Sequence, residues 1–216
     1  MKVCETFQSF QGEISIGRYA FFIRLAKCNL ACVFCDTPYA KEEYVDIDID
    51  TLVQQAMHFP CVIITGGEPF LQREDIAKFV KKLYTKNPDI DVEIETNGTI
   101  RPVSLTSYNV KFNVSLKMKN SGNKYDDRIK PEVVNWFNQA GANFKFVVTN
   151  QDDVDEVDLL VKDFGIKKKQ VYLMPEGKTT QEQIDKMDNV LELAKIHGYN
   201  FSPRFQVLMW GNKRGV

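Results

Sequence analysis

Three cysteines, Cys28, Cys32 and Cys35, stand on one short segment with the spacing C-x3-C-x2-C. Thiolates at this spacing can hold three corners of an iron–sulfur cube and leave the fourth iron without a protein ligand. An open coordination position is what a metal needs in order to bind and activate a substrate. The spacing differs from the paired C-x2-C knuckles of structural zinc sites, and only His58 and His197 could add imidazole ligands. The segment therefore predicts a [4Fe–4S] cluster, with a zinc site as the alternative.

A second motif, Thr65-Gly66-Gly67-Glu68-Pro69, ends a predicted strand. Paired glycines let a ligand approach the backbone closely. The Glu68 carboxylate and the exposed carbonyl groups suit an ammonium group, whereas the alternative is a plain Gly-Gly turn before a helix. Because this motif follows the cysteine triad on the next predicted strand, we expect the two loops to act together.

The two motifs resemble those of the radical S-adenosylmethionine (SAM) superfamily, in which the open iron of the cluster chelates the amino and carboxylate groups of SAM. The resemblance implies that Gly67 and Glu68 support the SAM amino group and that Phe34 lies near the adenine. It also implies that the reduced cluster cleaves SAM to methionine and a 5′-deoxyadenosyl radical, which abstracts hydrogen. The cofactor supplies this chemistry, while the protein supplies placement and excludes water. No acid–base catalytic residue is implied.

Further stretches resemble the 7-carboxy-7-deazaguanine synthases of queuosine and deazapurine biosynthesis and together cover nearly the whole chain. They are residues 5–13 and 22–25, 35–39, 95–99 with 115–117 and 121–123, and 174–177 with 203–204 and 210–212. The resemblance implies a carbon–nitrogen lyase that contracts 6-carboxy-5,6,7,8-tetrahydropterin to 7-carboxy-7-deazaguanine with loss of ammonia, assisted by Mg²⁺. Gln206 departs from the pattern, which favours histidine at that position.

The same resemblance assigns contacts to individual residues. Those matched to SAM are Phe34, Asp36, Gly67, Glu68, Ser115, Lys117, Met174, Pro175 and Glu176, and those matched to the pterin are Phe10, Gln11, Gly12, Glu13, Arg24 and Thr65. Thr37 matches the hydroxyl that ligates magnesium, which prefers oxygen ligands. Its alternative role is to cap the helix that begins after it.

Arg24 stands inside the apolar run 21–25. A buried charge without a partner is costly, and a substrate carboxylate offers a bidentate partner. The alternative is an internal ion pair with Glu13 or Glu95.

Short segments rich in β-branched and aromatic residues alternate with amphipathic ones. Strands are predicted at 20–26, 61–65, 91–95, 110–115, 144–149 and 171–174, and helices at 72–84, 131–140 and 180–197. This alternation favours parallel β/α units. About six units are too few for a closed barrel of eight units and about 250 residues. We therefore expect an α/β fold, an open partial TIM-like barrel of about six βα units, with its site at the C-terminal ends of the strands.

The composition argues against a nucleic-acid binder, a membrane-spanning protein and a disulfide-bonded protein. The 28 basic and 29 acidic residues nearly cancel, so the chain lacks the standing basic field of a nucleic-acid binder. Its longest apolar stretch, 19–23, is far too short to span a membrane. The five cysteines form an odd number, which argues against a disulfide framework, and Cys4 and Cys61 are predicted to be core residues. A single cytoplasmic domain over residues 1–216 is expected.

Two alternative functions stay open. A glycyl-radical activating enzyme carries the same cysteine spacing, but its substrate is a protein and needs neither Arg24 nor Thr37. A non-catalytic zinc or iron–sulfur module would bind metal without turning over SAM. For the predicted enzyme we also expect a homodimer, because an open barrel edge invites pairing, and an electron donor such as flavodoxin.

Overall fold

The protein is described by a computed structural model, which covers residues 1–103, 105 and 107–216. Its strands form one nine-stranded sheet with the order β3-β1-β2-β4-β5-β6-β7-β8-β9. The strands are β1 (Lys2–Phe10), β2 (Tyr19–Leu25), β3 (Val45–Asp46), β4 (Cys61–Gly66), β5 (Asp91–Thr96), β6 (Val110–Ser115), β7 (Asn143–Val148), β8 (Val171–Pro175) and β9 (Asn200–Phe201). From β2 to β9 neighbouring strands pair in parallel, whereas β1 is antiparallel to both β2 and β3.

Helices follow most of the parallel strands. They are α1 (Ile49–Ala56), α2 (Arg73–Lys86), α3 (Tyr125–Arg128), α4 (Pro131–Gln139), α5 (Gln151–Phe164), α6 (Thr180–His197) and α7 (Phe205–Trp210). Their ends follow local chemistry: Thr179 and Glu182 form a capping box at the start of α6, and Gly198 ends that helix in the left-handed region. None of the helices in the described part of the chain has the length and apolar character that a membrane span requires.

The open partial barrel predicted from the sequence is confirmed. All six predicted strands are present, with ends shifted by at most one residue, and the three predicted helices are α2, α4 and α6. The strand β1 and the helices α1 and α5 were not predicted. The strand β1 lacks clear alternation, because it covers the first edge of the barrel and is only partly buried. In α5 the apolar residues Val154, Val157 and Leu160 are separated by many acidic ones.

The two faces of the sheet differ in chemistry. On one face apolar side chains such as Ile94, Val114 and Phe146 join the main hydrophobic core with residues of the helices. The alternate residues of the same strands face the barrel interior and include charged and amide side chains. A small apolar cluster of Ala20, Cys61 and Ile63 closes part of this interior.

The two cysteines outside the triad differ in burial. Cys61 is fully buried, as predicted. Cys4 is only partly buried, and its Sγ lies 3.5 Å from Nη2 of Arg214, so it is not a core residue.

Candidate active site

A cavity of about 570 Å³ opens at the C-terminal ends of the parallel strands, where the site was expected. All predicted site residues except two line it: Phe10, Gln11, Gly12, Glu13, Arg24, Cys28, Cys32, Phe34, Cys35, Asp36, Thr37, Thr65, Gly67, Ser115, Lys117, Met174 and Glu176. The two exceptions are Glu68 and Pro175. Residues far apart in the sequence are therefore brought together around one space, because successive strands deliver them to the same end of the barrel.

The three cysteines of the triad follow β2 and are partly buried around this cavity. Within the described residues, no three His, Cys, Asp or Glu side chains are grouped so that they could hold a single metal ion. A cubic cluster places its ligands on three different irons. Three thiols on one loop that border the same cavity are a suitable ligand set for such a cluster.

The glycine-rich loop after β4 packs directly on the backbone of the cysteine loop. The Gly67 N–H donates to the Leu25 carbonyl at 3.1 Å, and the Glu68 N–H donates to the Lys27 carbonyl at 2.8 Å. A Cβ atom on Gly67 would lie only 2.8 Å from the Cβ of Cys28, so a larger residue would displace the cysteine loop. The close approach that requires glycine here is that of the cysteine loop itself, at Lys27 and Cys28.

Glu68, which was predicted to contact SAM, is not among the residues that line the cavity. Its side chain is fully buried, and its carboxylate accepts hydrogen bonds from Phe70 N (2.9 Å), Thr96 Oγ1 (2.8 Å) and Asn97 N (2.7 Å). Burial raises the pKa of this carboxyl group, and the hydrogen bonds oppose the rise. With its acceptors occupied away from the cavity, the carboxylate fastens the loop after β4 to the loop after β5.

The loop after β5 also supports the cysteine loop through side-chain amides. Asn97 Nδ2 donates to Asn29 Oδ1 at 3.0 Å, and Asn29 Nδ2 donates to Thr99 Oγ1 at 2.8 Å. The Thr99 hydroxyl in turn donates to Asn97 Oδ1 at 2.6 Å. This closed ring of three side chains fixes the residue that follows Cys28.

The guanidinium of Arg24 contacts Glu5 and Phe7, both on β1. Its Nε donates to Glu5 Oε1 at 2.7 Å, and its guanidinium lies 5.7 Å from the ring centroid of Phe7. The alternative to a substrate clamp was an internal ion pair with Glu13 or Glu95. Arg24 does form an internal ion pair, but its partner is Glu5, directly across the β1–β2 pairing. Its two Nη groups donate no hydrogen bond to the described residues, and Arg24 is among the residues that line the cavity.

Glu13 and Glu95 share a different partner. Lys145 on β7 donates to both carboxylates, and the Lys145 side chain is only 6% exposed. Burial acts to lower the pKa of Lys145, but the two carboxylates outweigh it and raise the pKa. Burial likewise acts to raise the pKa of Glu13, but Lys145 and Arg204 outweigh it and lower the pKa. The pKa of Glu95 is raised by burial and by the charge of Glu13.

Arg204, just before α7, joins three loops of the site. It forms an ion pair with Asp36, donates to the Gly177 carbonyl at 2.8 Å and lies 3.8 Å from a Glu13 oxygen. The neighbouring Gln206 donates to Glu13 Oε1 at 3.3 Å. The C-terminal segment therefore contacts the loop after β1, the cysteine loop and the loop after β8.

Lys145 and Arg204 were not among the predicted site residues. Lys145 carried a usable signal, since it is a single charge inside the apolar strand Asn143–Val148, as Arg24 is inside its own strand. Arg204 lies in the stretch 203–204 that resembles the family, but no role was assigned to it, because its partners Asp36 and Glu13 are far away in the sequence.

Thr37 was predicted as a magnesium ligand with helix capping as its alternative, and Lys117 was predicted as a SAM contact. Thr37 precedes the 3₁₀ helix Pro38–Lys41, but its side chain makes no capping hydrogen bond, so the capping alternative was wrong. The hydroxyl lies 4.0 Å from Cys35 Sγ and borders the cavity. Lys117 Nζ donates to Ser115 Oγ at 2.7 Å beside the same cavity.

Comparisons with known proteins show which family this chain is similar to. Residues 22–129 match the model of the radical SAM superfamily. A 7-carboxy-7-deazaguanine synthase of Pyrobaculum aerophilum is 34% identical over an alignment that covers 100% of this chain and 97% of the relative. One of Hyperthermus butylicus is also 34% identical and covers 97% of this chain and 92% of its own. The crystal structure of QueE from Escherichia coli shares the fold, with a TM-score of 0.76, 22% identity, and coverage of 94% of this chain and 93% of that chain.

Proposed function

The chain belongs to the radical SAM superfamily and, within it, to the family of 7-carboxy-7-deazaguanine synthases. On that basis we propose which residues bind the cluster, SAM, the substrate and Mg²⁺. Cys28, Cys32 and Cys35 hold the [4Fe–4S] cluster, and the cavity beside them takes SAM and 6-carboxy-5,6,7,8-tetrahydropterin, which is converted to 7-carboxy-7-deazaguanine with loss of ammonia. When bound, the cluster and SAM supply the 5′-deoxyadenosyl radical that abstracts hydrogen from the carbon bearing the carboxylate.

The residues proposed to receive SAM line the side of the cavity formed by β4, β6 and β8. Lys117, held by Ser115, provides a cation for the carboxylate of SAM, and the Gly67 backbone lies next to the cysteine loop. The loop after β8 is fixed by buried Gln183, which donates to the carbonyl groups of Pro175 (2.9 Å) and Gly177 (3.2 Å). Phe34, Asp36, Met174 and Glu176 complete the proposed pocket. Glu68 supports this pocket indirectly, by holding the loop after β4 against the loop after β5. Pro175 takes part through its backbone.

The pterin is proposed to bind between Arg24 and Glu13. The unused Nη groups of Arg24 match a substrate carboxylate, because a guanidinium can donate two parallel hydrogen bonds to one. Glu13 accepts from the guanidine-like edge of the pterin, and the lowered pKa keeps this carboxylate ionised at neutral pH. Phe10, Gln11, Gly12 and Thr65 border the same space. The observation that carries the proposal is that one cavity holds three cysteine thiols, a cation with free donors and an ionised carboxylate.

Thr37 is proposed to ligate Mg²⁺ through its hydroxyl. Magnesium prefers oxygen ligands and keeps several waters or substrate oxygens, so one threonine together with a carboxylated substrate is a suitable ligand set. The lack of a capping hydrogen bond leaves the hydroxyl available for this contact.

The test is an anaerobic reaction of the iron-reconstituted protein with SAM, a reductant and the carboxylated tetrahydropterin, followed by chromatography. We expect about four irons per chain and both 7-carboxy-7-deazaguanine and 5′-deoxyadenosine. Alanine at Cys28, Cys32 or Cys35 should abolish 5′-deoxyadenosine, whereas the matched variant Cys4→Ala should not. SAM cleavage at the normal rate by Cys32→Ala would refute the cluster assignment. Absence of the deazaguanine product with intact SAM cleavage would refute the substrate.

We also propose that residues 1–216 form a single domain, that the protein is cytoplasmic, that it is a homodimer, that a flavodoxin-like protein donates electrons, and that no nucleic acid is bound.

A further inference from the structure

The segment Ser121-Gly122-Asn123 lies against the cysteine loop, and none of its residues belongs to the substrate or SAM site proposed above. Asn123 Nδ2 lies 3.2 Å from Cys32 Sγ, within hydrogen-bonding distance of a sulfur acceptor. On its other side, Asn123 Oδ1 accepts a hydrogen bond from the backbone N–H of Ala31 at 2.9 Å. One amide therefore contacts the cysteine loop through both its donor and its acceptor.

The contacts fix which end of the amide faces the sulfur. Rotating the amide by half a turn would point its NH₂ group at the N–H of Ala31, and two donors would face each other. The NH₂ group also lies 3.1 Å from Ser121 Oγ, which accepts because the Ser121 hydroxyl donates to the Met118 carbonyl at 2.6 Å. Both neighbours require that Asn123 present its donor to Cys32.

The position of the amide is held by the surrounding backbone. The Val33 N–H donates to the Ser121 carbonyl at 3.1 Å, and Ser121 is fully buried. Gly122 has a φ of 77°, in the left-handed region, and thus turns the chain so that Asn123 follows directly on this contact. The segment and the cysteine loop are joined on both sides of Cys32.

We propose that Asn123 is a positioning residue that tunes the cluster by donating a hydrogen bond to the sulfur of Cys32. Hydrogen bonds to cluster sulfurs are among the factors that set the reduction potential. Reduction adds a negative charge that the sulfurs share, so a fixed N–H donor stabilises the reduced form and raises the potential. This inference rests on the proposed cluster site.

The experiment measures the midpoint potential of the reconstituted cluster in a redox titration followed by electron paramagnetic resonance, without SAM or substrate. Asn123→Ala should lower the equilibrium constant for one-electron reduction by about tenfold, which corresponds to about 59 mV. Asn123→Asp keeps an acceptor for Ala31 but places a carboxylate beside the sulfur, so it should lower the potential further. The matched control is Asn120→Ala, because Asn120 donates to the Val147 carbonyl at 2.9 Å and makes no hydrogen bond to the cysteine loop.

The possible results distinguish failure of this inference from failure of the proposed function. Potentials equal to that of the unmodified protein in both Asn123 variants, at equal iron content, would overturn the inference. Loss of iron from both variants but not from Asn120→Ala would also overturn it and leave Asn123 as a support of the loop only. Failure of the unmodified protein to hold a [4Fe–4S] cluster would instead refute the proposed function.

Discussion

Lys145 donates a hydrogen bond to Glu13 across the barrel interior and so joins β7 to the loop that follows β1. The same ammonium group binds Glu95 on β5. Gln11 and Asn113 add amide donors to Glu95, at 3.1 and 2.9 Å. The interior of this barrel is thus a paired and hydrogen-bonded network, and Glu13, the proposed acceptor for the pterin, is one of its members.

Lys145→Met should strongly weaken both the fold and pterin binding. Breaking a buried ion pair costs about 3–5 kcal/mol, because uncompensated charges remain. We expect a loss of this size in the free energy of unfolding measured with urea. Lys145→Arg, which keeps the charge, is the matched control and should lose less. Equal stability of Lys145→Met and the unmodified protein would mean that the network is not a source of stability.

The same variant should change the pH dependence of substrate binding. The pKa of Glu13 is lowered in the folded protein, so its carboxylate is ionised throughout the neutral range. It becomes protonated only when the pH falls below the pKa of an ordinary glutamate. Without Lys145, burial would raise this pKa. The KM for the pterin should then rise as the pH falls towards the acid side of neutrality in Lys145→Met, while it stays level in the unmodified protein. A level profile in both proteins would argue against Glu13 as an ionised acceptor.

Glu68→Gln should destabilise the protein although it changes little in size. An amide NH₂ group in place of one carboxylate oxygen would face the donor N–H of Asn97 or the donors on the other side. An unsatisfied buried donor costs about 1–3 kcal/mol. The free energy of unfolding should fall by this amount, and Glu74→Gln, an exposed glutamate on α2, should be close to neutral. An unchanged unfolding free energy would show that the fastening of the two loops through Glu68 is dispensable.

The parallel strands could be predicted because each is short, apolar on its buried face and bounded by turn residues. The cysteine triad could be predicted because its ligands are neighbours in the sequence. Glu5 was not identified as the partner of Arg24, since that pairing depends on β1, a strand whose pattern does not alternate clearly. The contacts of Arg204 and Gln206 with Asp36 and Glu13 could not be predicted for another reason. They form only when the C-terminal segment folds back over the barrel, and the local spacing of residues does not indicate such contacts.

Thr37→Ala should weaken the response of the reaction to added Mg²⁺ and leave the absorption spectrum of the cluster unchanged. The side chain makes no capping hydrogen bond, so its removal should alter the fold little. Thr37→Ser keeps a hydroxyl and is the matched control, which should retain most of the response. A titration with Mg²⁺ that is identical for alanine and threonine would show that the hydroxyl is not a ligand.

Arg24→Ala should separate substrate binding from SAM cleavage. Removing one partner of a buried, hydrogen-bonded charge pair costs about 2–5 kcal/mol, which at about 1.4 kcal/mol per tenfold is a loss of roughly 30-fold to several thousand-fold in affinity for the pterin. The guanidinium donates to Glu5 and makes no hydrogen bond to the cysteine loop within the described residues, so slow SAM cleavage without substrate should persist. Glu5 would keep Arg214, at 2.9 Å, and the Tyr39 hydroxyl, at 3.0 Å, as partners, and this limits the structural damage. Arg24→Lys should rescue binding only in part, because an ammonium group cannot reproduce the planar fork that holds Glu5 with Nε and leaves both Nη groups free. The measurement compares deazaguanine formed with 5′-deoxyadenosine formed in the same reaction. A normal ratio and a normal KM in Arg24→Ala would mean that Arg24 serves only to pair Glu5.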